Sequence, residues 1–117
     1  MSDSILREKS KTFAKEVVCL CRKLKQAGVE SALTNQLLRS GTSVGANVHE
    51  AQYAQGTKDF ISKFEIALKE CNESEYWLEL LFEVNSISKV EFDKFQKDCI
   101  ELRRMLVSTV TTLKKKQ

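Results

Sequence analysis

Residues 88–113 read SKVEFDKFQKDCIELRRMLVSTVTTL and carry two signals of a helix. Ser88 and Glu91 have the spacing of a capping box, in which each side chain accepts a hydrogen bond from the backbone amide of the other residue. Apolar residues then recur at intervals of three and four, which is close to the heptad spacing of a left-handed bundle. We therefore predict a helix over residues 89–114, with an apolar stripe formed by Phe95, Cys99, Leu102, Leu106, Thr109, Val110 and Leu113.

Three more segments have the same periodicity, which predicts helices at residues 4–26, 32–55 and 58–84. Each predicted helix presents one apolar face, as expected for helices that pack around a shared core. The three stripes consist of Phe13, Val17, Leu20, Cys21 and Leu24; of Leu33, Leu37, Gly41, Val44, Val48 and Ala51; and of Phe60, Phe64, Ala67, Cys71, Leu78 and Phe82.

The connections between these helices are short. Gly28 and Gly56 are expected to end the first two helices, because glycine readily adopts the left-handed conformation that often follows a helix. Ser31 and Thr57 are the predicted N-caps of the second and third helices, since their hydroxyls can accept from free backbone amides. Short connections favour antiparallel neighbours, so we predict an all-α, up-down-up-down, left-handed four-helix bundle.

The composition supports this fold class. The chain has 117 residues with no proline and four glycines, which disfavours β-sandwiches and β-barrels because their turns use both residue types. The length fits one domain over residues 1–117, which needs no disulfide or metal in order to fold. No apolar run approaches the roughly 18 residues of a membrane span, and residues 1–11 lack the apolar core of a signal peptide. We expect a cytoplasmic protein with no membrane partner.

Charge is distributed unevenly, although the net charge is only +3. Residues 1–28 and 89–117 each carry +4, whereas residues 59–88 carry −5. Three interpretations stay open: solvated helix faces, contacts between basic and acidic helices of different subunits, or contacts of the basic helices with nucleic acid. The candidate nucleic-acid contacts are Lys9, Lys11, Lys15, Arg22, Lys23 and Lys25 on the first helix, and Arg103, Arg104, Lys114, Lys115 and Lys116 on the fourth.

The sequence offers little for catalysis or metal binding. His49 is the only histidine, and Ala46 stands three residues before it, where di-iron bundles need glutamate. A Ser-His-acid site built from Ser43, His49 and Glu50 would rest on that single histidine. We therefore expect no enzymatic activity, catalytic residue, metal, cofactor or small-molecule substrate. The four cysteines lack zinc-site spacing and are expected to be small buried residues without disulfides; they are Cys19, Cys21, Cys71 and Cys99.

A row of polar residues follows the second helix at spacings of four, four and three, away from its apolar stripe. The row is either a solvated face or one side of a polar network with the third helix. Folding the two helices about residues 56–57 places Arg39 beside Glu73 or Ser74, Ser43 beside Glu70, and Glu50 beside Lys63. Arg39 is expected to approach the carboxylate of Glu73 or Glu70. The predicted network comprises Arg39, Ser43, Asn47, Glu50, Lys63, Glu70 and Glu73.

Two glycines and two aromatic residues suggest a contact between subunits. Gly41 and Gly45 lie inside the second helix, where alanine would be more stable by about 1 kcal/mol each, so another helix is expected to approach them closely. Tyr76 and Trp77 lie away from the predicted core. We predict that Gly41, Gly45, Tyr76 and Trp77 form an oligomer interface.

Residues 36–51, QLLRSGTSVGANVHEA, resemble the signature of the bacterial "four helix bundle protein" family, which includes proteins encoded in intervening sequences of 23S rRNA genes. The shared pattern is Arg-Ser, Ser-Val, a small pair and Asn-Val-x-Glu. A second family block is matched at residues 58–61 (KDFI), 67–70 (ALKE) and 75–78 (EYWL). Ala51 departs from the pattern, since many members have glycine there.

The resemblance implies a left-handed up-down bundle that forms homopentamers. The chain is also similar to the accessory bundle protein of diversity-generating retroelements, which assists a reverse transcriptase and binds nucleic acid. No catalytic residues come with the resemblance. We therefore expect a non-enzymatic, self-assembling accessory protein associated with RNA or with a nucleic-acid-processing protein, as a pentamer first and a dimer second. The alternative is a protein-binding adaptor without a nucleic-acid role.

Overall fold

The computed structural model describes residues 2–117, with side chains described from residue 4 onward. Its elements are four helices: α1 (Ser2–Gln26), α2 (Ser31–Ala51), α3 (Thr57–Glu83) and α4 (Lys89–Lys115). No strand occurs within these residues, so the prediction of an all-α four-helix bundle is confirmed. None of the helices in this range combines the length and the apolar character that crossing a bilayer demands.

Contacts between consecutive helices run in opposite directions along the two partners. Cys21, late in α1, donates its thiol to the carbonyl of Thr34, early in α2, at 3.5 Å. On α3 and α4 the ion pair of Glu65 with Lys114 and that of Glu75 with Arg103 both measure 2.7 Å and follow the same reversed order. This order is what antiparallel neighbours produce; the left-handed supercoil stays a prediction.

The first and last helices meet along a boundary that we call the α1–α4 seam. It is defined by three ion pairs: Lys9 with Glu101 at 3.3 Å, Lys94 with Glu16, and Lys23 with Glu91 at 2.6 Å. Beneath them the rings of Phe13 and Phe95 meet edge to face, with centroids 6.3 Å apart. The seam closes the bundle around a single core.

The predicted apolar stripes form the core. Every predicted stripe residue of α1 is buried, and the buried positions of the other helices continue at intervals of three and four. Some predicted stripe residues near the helix ends are half-buried instead of buried: Leu33, Phe60, Phe82, Thr109 and Leu113. The core also includes residues that no stripe predicted: Leu6, Ile61, Leu81, Ile87 and Phe92, and the buried polar residues Ser10, Thr34, Ser40 and Ser74.

The helix ends agree with the sequence in part. The capping box of α4 is present, because the Ser88 hydroxyl accepts from the Glu91 amide at 3.1 Å and the Glu91 carboxylate accepts from the Ser88 amide at 2.9 Å. Gly28 follows α1 with φ +82°, the left-handed conformation expected of it. The helix α1 starts at Ser2, two residues earlier than predicted.

The predicted N-caps of α2 and α3 were wrong by one residue. Ser31 and Thr57 are already the first helical residues, and Glu30 and Gly56 take the cap positions without a side-chain hydrogen bond. A hydroxyl can cap only from the extended residue before the helix, so neither side chain serves that role.

The end of α2 was predicted at residue 55 and lies four residues earlier, at Ala51. The amides of Gln52, Tyr53 and Ala54 bond to carbonyls three residues back instead of four, which tightens the chain into turns and ends the α-helix. A five-residue connection, residues 52–56, therefore joins α2 to α3.

Candidate functional site

The polar row of α2 reaches α3 through one residue, Arg39. Its guanidinium bonds to both carboxylate oxygens of Glu70, at 3.1 and 3.2 Å, and also to the carboxylate of Glu73. The Glu70 side chain is only 15% exposed, whereas that of Arg39 is 49% exposed. The structure thus brings together three predicted network residues at the edge of the α2–α3 contact, with the cation facing solvent.

Trp77 joins this group from the next turn of α3. Its indole N–H donates to Glu73 at 2.9 Å, and its ring contacts Tyr76 edge to face with centroids 5.0 Å apart. The indole hydrogen bond and then the Arg39 guanidinium hold the pKa of the Glu73 carboxyl below its ordinary value. Tyr76 is 57% exposed, whereas Trp77 is half-buried and packs against the core that the sequence placed it away from.

A buried serine pair that the sequence did not lead us to predict lies behind Arg39. The hydroxyl oxygens of Ser40 and Ser74 lie 2.9 Å apart between α2 and α3, and that of Ser74 lies 2.9 Å from the carbonyl of Glu70. Both residues are fully buried. The signal was available, since Ser74 falls between Cys71 and Leu78 on the apolar stripe of α3.

The rest of the predicted network does not assemble. Within the described residues Glu50 makes no ion pair with Lys63, and Ser43 makes no side-chain hydrogen bond to Glu70, where Arg39 takes the carboxylate instead. The Asn47 amide bonds back to the carbonyl of Ser43 in its own helix at 2.9 Å. Glu50 lies in the last turn of α2 and is exposed, because the helix ends at Ala51 rather than continuing beside α3.

The glycines of α2 do allow another helix to approach closely, but that helix belongs to the same chain. A Cβ on Gly41 would lie 2.8 Å from Cγ1 of Val17, and one on Gly45 would lie 3.1 Å from the carbonyl oxygen of Ser10, both in α1. Gly41 is buried. The prediction that the glycines contribute to a contact between subunits is therefore wrong for Gly41, and Gly45 also faces α1.

Four of the eleven cations proposed for nucleic acid are engaged within the bundle. Lys9 and Lys23 pair across the α1–α4 seam, and Arg103 and Lys114 pair with α3. Part of the attraction between basic and acidic segments thus acts inside one chain. The other seven are Lys11, Lys15, Arg22, Lys25, Arg104, Lys115 and Lys116.

Most of the remaining cations lie on one side of α1, which we call the cationic face. At 100° per residue its members fall within about 80° of one another. All are exposed, and no ion pair to them occurs among the side chains of residues 4–117. Arg7, absent from the sequence prediction, completes the face and donates to the side chain of Gln52. The cationic face consists of Arg7, Lys11, Lys15, Arg22 and Lys25.

No catalytic constellation is visible in the part of the chain that the structure describes. His49 is exposed and contacts the Tyr53 ring, with centroids 5.6 Å apart. No group of three or more metal-binding side chains forms within the described residues. Cys21, Cys71 and Cys99 are buried free thiols, while Cys19 is exposed, contrary to expectation. Burial raises the pKa of Cys21 to about 11, which keeps that thiol protonated and unreactive at neutral pH.

Comparisons with known proteins agree with this fold. The family model of the 23S rRNA-intervening sequence protein matches residues 2–108. A solved structure of a protein with unknown function from the S23 ribosomal protein family of Bacteroides thetaiotaomicron VPI-5482 is 42% identical, with a TM-score of 0.92. The match covers 95% of this chain and 99% of that one. No curated protein matches the chain. Because the family model matches nearly the whole chain, the protein belongs to the 23S rRNA-intervening sequence protein family.

Proposed function

We propose that the protein is a non-enzymatic accessory protein of the cytoplasm that assembles into a homo-oligomer and binds RNA through the cationic face. The observation that supports the proposal best is the concentration of Arg7, Lys11, Lys15, Arg22 and Lys25 on one exposed side of α1. These cations stand four, four, seven and three residues apart, which is about 4.5–10.5 Å along the helix, and can follow a phosphate backbone. Such contacts position the nucleic acid without reading its sequence.

Self-assembly would strengthen this binding. One chain carries +3, and the five copies of a pentamer would carry a field that a single copy lacks. The exposed Tyr76, whose ring meets that of Trp77 edge to face, is the surface we assign to the contact between copies. RNA affinity is then expected to fall when the oligomer dissociates.

A salt-dependent binding assay tests the proposal. RNA binding measured by filter retention is expected to weaken steeply between about 50 and 200 mM salt, because each neutralised phosphate releases counterions. The double variant Lys15→Gln/Arg22→Gln removes two charges from the cationic face and is expected to reduce the log–log salt slope by about 2.

The matched control is Lys69→Gln/Lys97→Gln, which removes two exposed charges from α3 and α4. It changes the net charge equally, so it separates local contacts from the overall field. Equal losses in both double variants would contradict binding at the cationic face. No RNA binding by the parent protein even at low salt would remove the nucleic-acid role.

A protein-binding adaptor is the second candidate, favoured by the exposed Tyr76 on the acidic helix α3. An aromatic residue beside carboxylates suits a basic protein surface. If RNA binding is absent, this adaptor function is the one to pursue.

A further inference from the structure

A groove opens at the end of the bundle where α1 begins, which we call the open-end groove. The Lys9–Glu101 ion pair sets the register of the two helices there. Counting from that pair, α4 continues for about 21 Å to Lys115, whereas α1 reaches back only about 10 Å to Ser2. The last two turns of α4 therefore extend past α1, and the α2–α3 connection closes the groove at its end.

The groove has an apolar floor and a cationic rim. Its volume is about 1020 Å³, at the upper end of the range for small-molecule sites. Phe60 and Met105 line the floor, and the Phe64 ring supports that of Phe60 at a centroid distance of 4.5 Å. Arg7 and Arg104 lie at the rim, where the hydroxyl of Ser108 adds a neutral donor and acceptor.

This combination fits one class of ligand. A nucleotide unit has a flat apolar base, an anionic phosphate and sugar hydroxyls, which match an aromatic floor, arginines and a serine hydroxyl. A base in a duplex keeps its faces within the stack and cannot enter such a groove. A base of a single strand or loop is free to stack on an aromatic side chain.

We propose that the open-end groove holds an unpaired base of the RNA, with its phosphates on Arg7 and Arg104. Arg7 belongs to both the groove and the cationic face, so a strand leaving the groove continues along Lys11 and Lys15. The inference rests on the proposed function and adds a substrate class to it: the protein prefers single-stranded RNA or RNA loops over duplex.

The test compares a single strand of about 12 nucleotides with its duplex, within the usual site sizes for single-strand binding. Phe60→Leu keeps an apolar side chain but removes the aromatic face. It is expected to lower single-strand affinity at least fivefold, as removal of one stacking contact does, and to leave duplex affinity within about twofold. Phe82→Leu is the matched control, because Phe82 is also a half-buried phenylalanine of α3 but lies at its other end.

A second pair of variants changes exposed residues and therefore leaves the packing of the core intact. Arg104→Gln in the groove and Arg22→Gln on the cationic face remove the same charge from exposed positions. The first is expected to reduce the ratio of single-strand to duplex affinity, and the second to lower both affinities equally. Photo-crosslinking of a thiouridine-containing strand is expected to label Phe60 or Met105.

The outcomes separate the two proposals. If the parent protein binds RNA without strand preference, or keeps its preference in Phe60→Leu and Arg104→Gln, the groove is not the site and the cationic face stands alone. If the parent protein binds no RNA at low salt, the proposed function fails together with the inference.

Discussion

Gly41 of α2 faces Val17 of α1 with no room for a side chain, since a Cβ on Gly41 would lie 2.8 and 2.9 Å from the two methyl carbons of Val17. The valine is fully buried and its β-branched side chain has few alternative rotamers. The two helices are therefore held at a distance that only glycine permits at this level.

Gly41→Ala is expected to destabilise the protein by about 1–2 kcal/mol, because the cost of overpacking exceeds the gain of about 1 kcal/mol in helix propensity. Urea unfolding measures the change. Gly56→Ala is the control, since nothing lies within 4 Å of its new methyl group, and it is expected to change stability by less than about 0.5 kcal/mol. A Gly41→Ala variant as stable as the parent would contradict the close contact.

The Glu73 carboxylate links stability to acidic pH. Its folded pKa lies below the ordinary value of 4.5, so its contribution is fully present above that pH and is lost as pH falls through the folded value. Trp77→Phe removes the indole donor and is expected to raise the pKa of Glu73, which an NMR titration of the carboxyl carbon measures. Tyr76→Phe removes a hydroxyl from the neighbouring ring and is expected to leave that pKa unchanged.

The Ser40–Ser74 pair is expected to show energetic coupling. Ser74→Ala leaves the buried Ser40 hydroxyl without this partner and is expected to cost about 1 kcal/mol of unfolding free energy. The double variant Ser40→Ala/Ser74→Ala is expected to cost less than the sum of the single variants, because no buried hydroxyl is then left behind. Additive losses in a double-mutant cycle would show that the two hydroxyls act independently.

A substitution of Tyr76 tests whether the protein assembles with itself. We expect light scattering to give about five times the chain mass of 13.4 kDa for the parent protein. Tyr76→Lys is expected to reduce that mass while the helical circular dichroism stays unchanged, because the side chain is 57% exposed. Tyr53→Lys alters a tyrosine that is 72% exposed on the α2–α3 connection and is expected to keep the oligomer. A monomeric parent protein at micromolar concentration would refute the homo-oligomer.

The core was predictable because helix periodicity is local. The spacing of Phe13, Val17 and Leu24 was enough to predict that they face the core. Four consecutive residues were enough to predict the capping box at Ser88. The end of α2 was less predictable, because the stretch from Gln52 to Gly56 contains no proline to mark where the helix stops.

The candidate site depends on relations between distant segments, which periodicity does not contain. The sequence indicated that Gly41 meets another helix, but a glycine inside a helix permits close approach equally to a helix of the same chain and to a helix of another chain. The contact of Arg39 with Glu73 followed from the hairpin register, which holds near the middle of the helices. The pairing of Glu50 with Lys63 did not, because Glu50 lies near the end of α2, and that end was predicted four residues too late. The open-end groove arises from the different reach of α1 and α4, which only the assembled bundle reveals.

The α1–α4 seam also bears on the order in which the bundle comes apart. It joins residues up to 92 positions apart, so its closure costs more chain entropy than that of any hairpin between successive helices. Its ion pairs are largely exposed and therefore weaken as salt screens them. The molecule therefore has a built-in line of opening along which α1 parts from α4 while α2 and α3 stay together. Hydrogen exchange at rising salt should then accelerate first in α1 and α4, and last in the middle of α2 and α3.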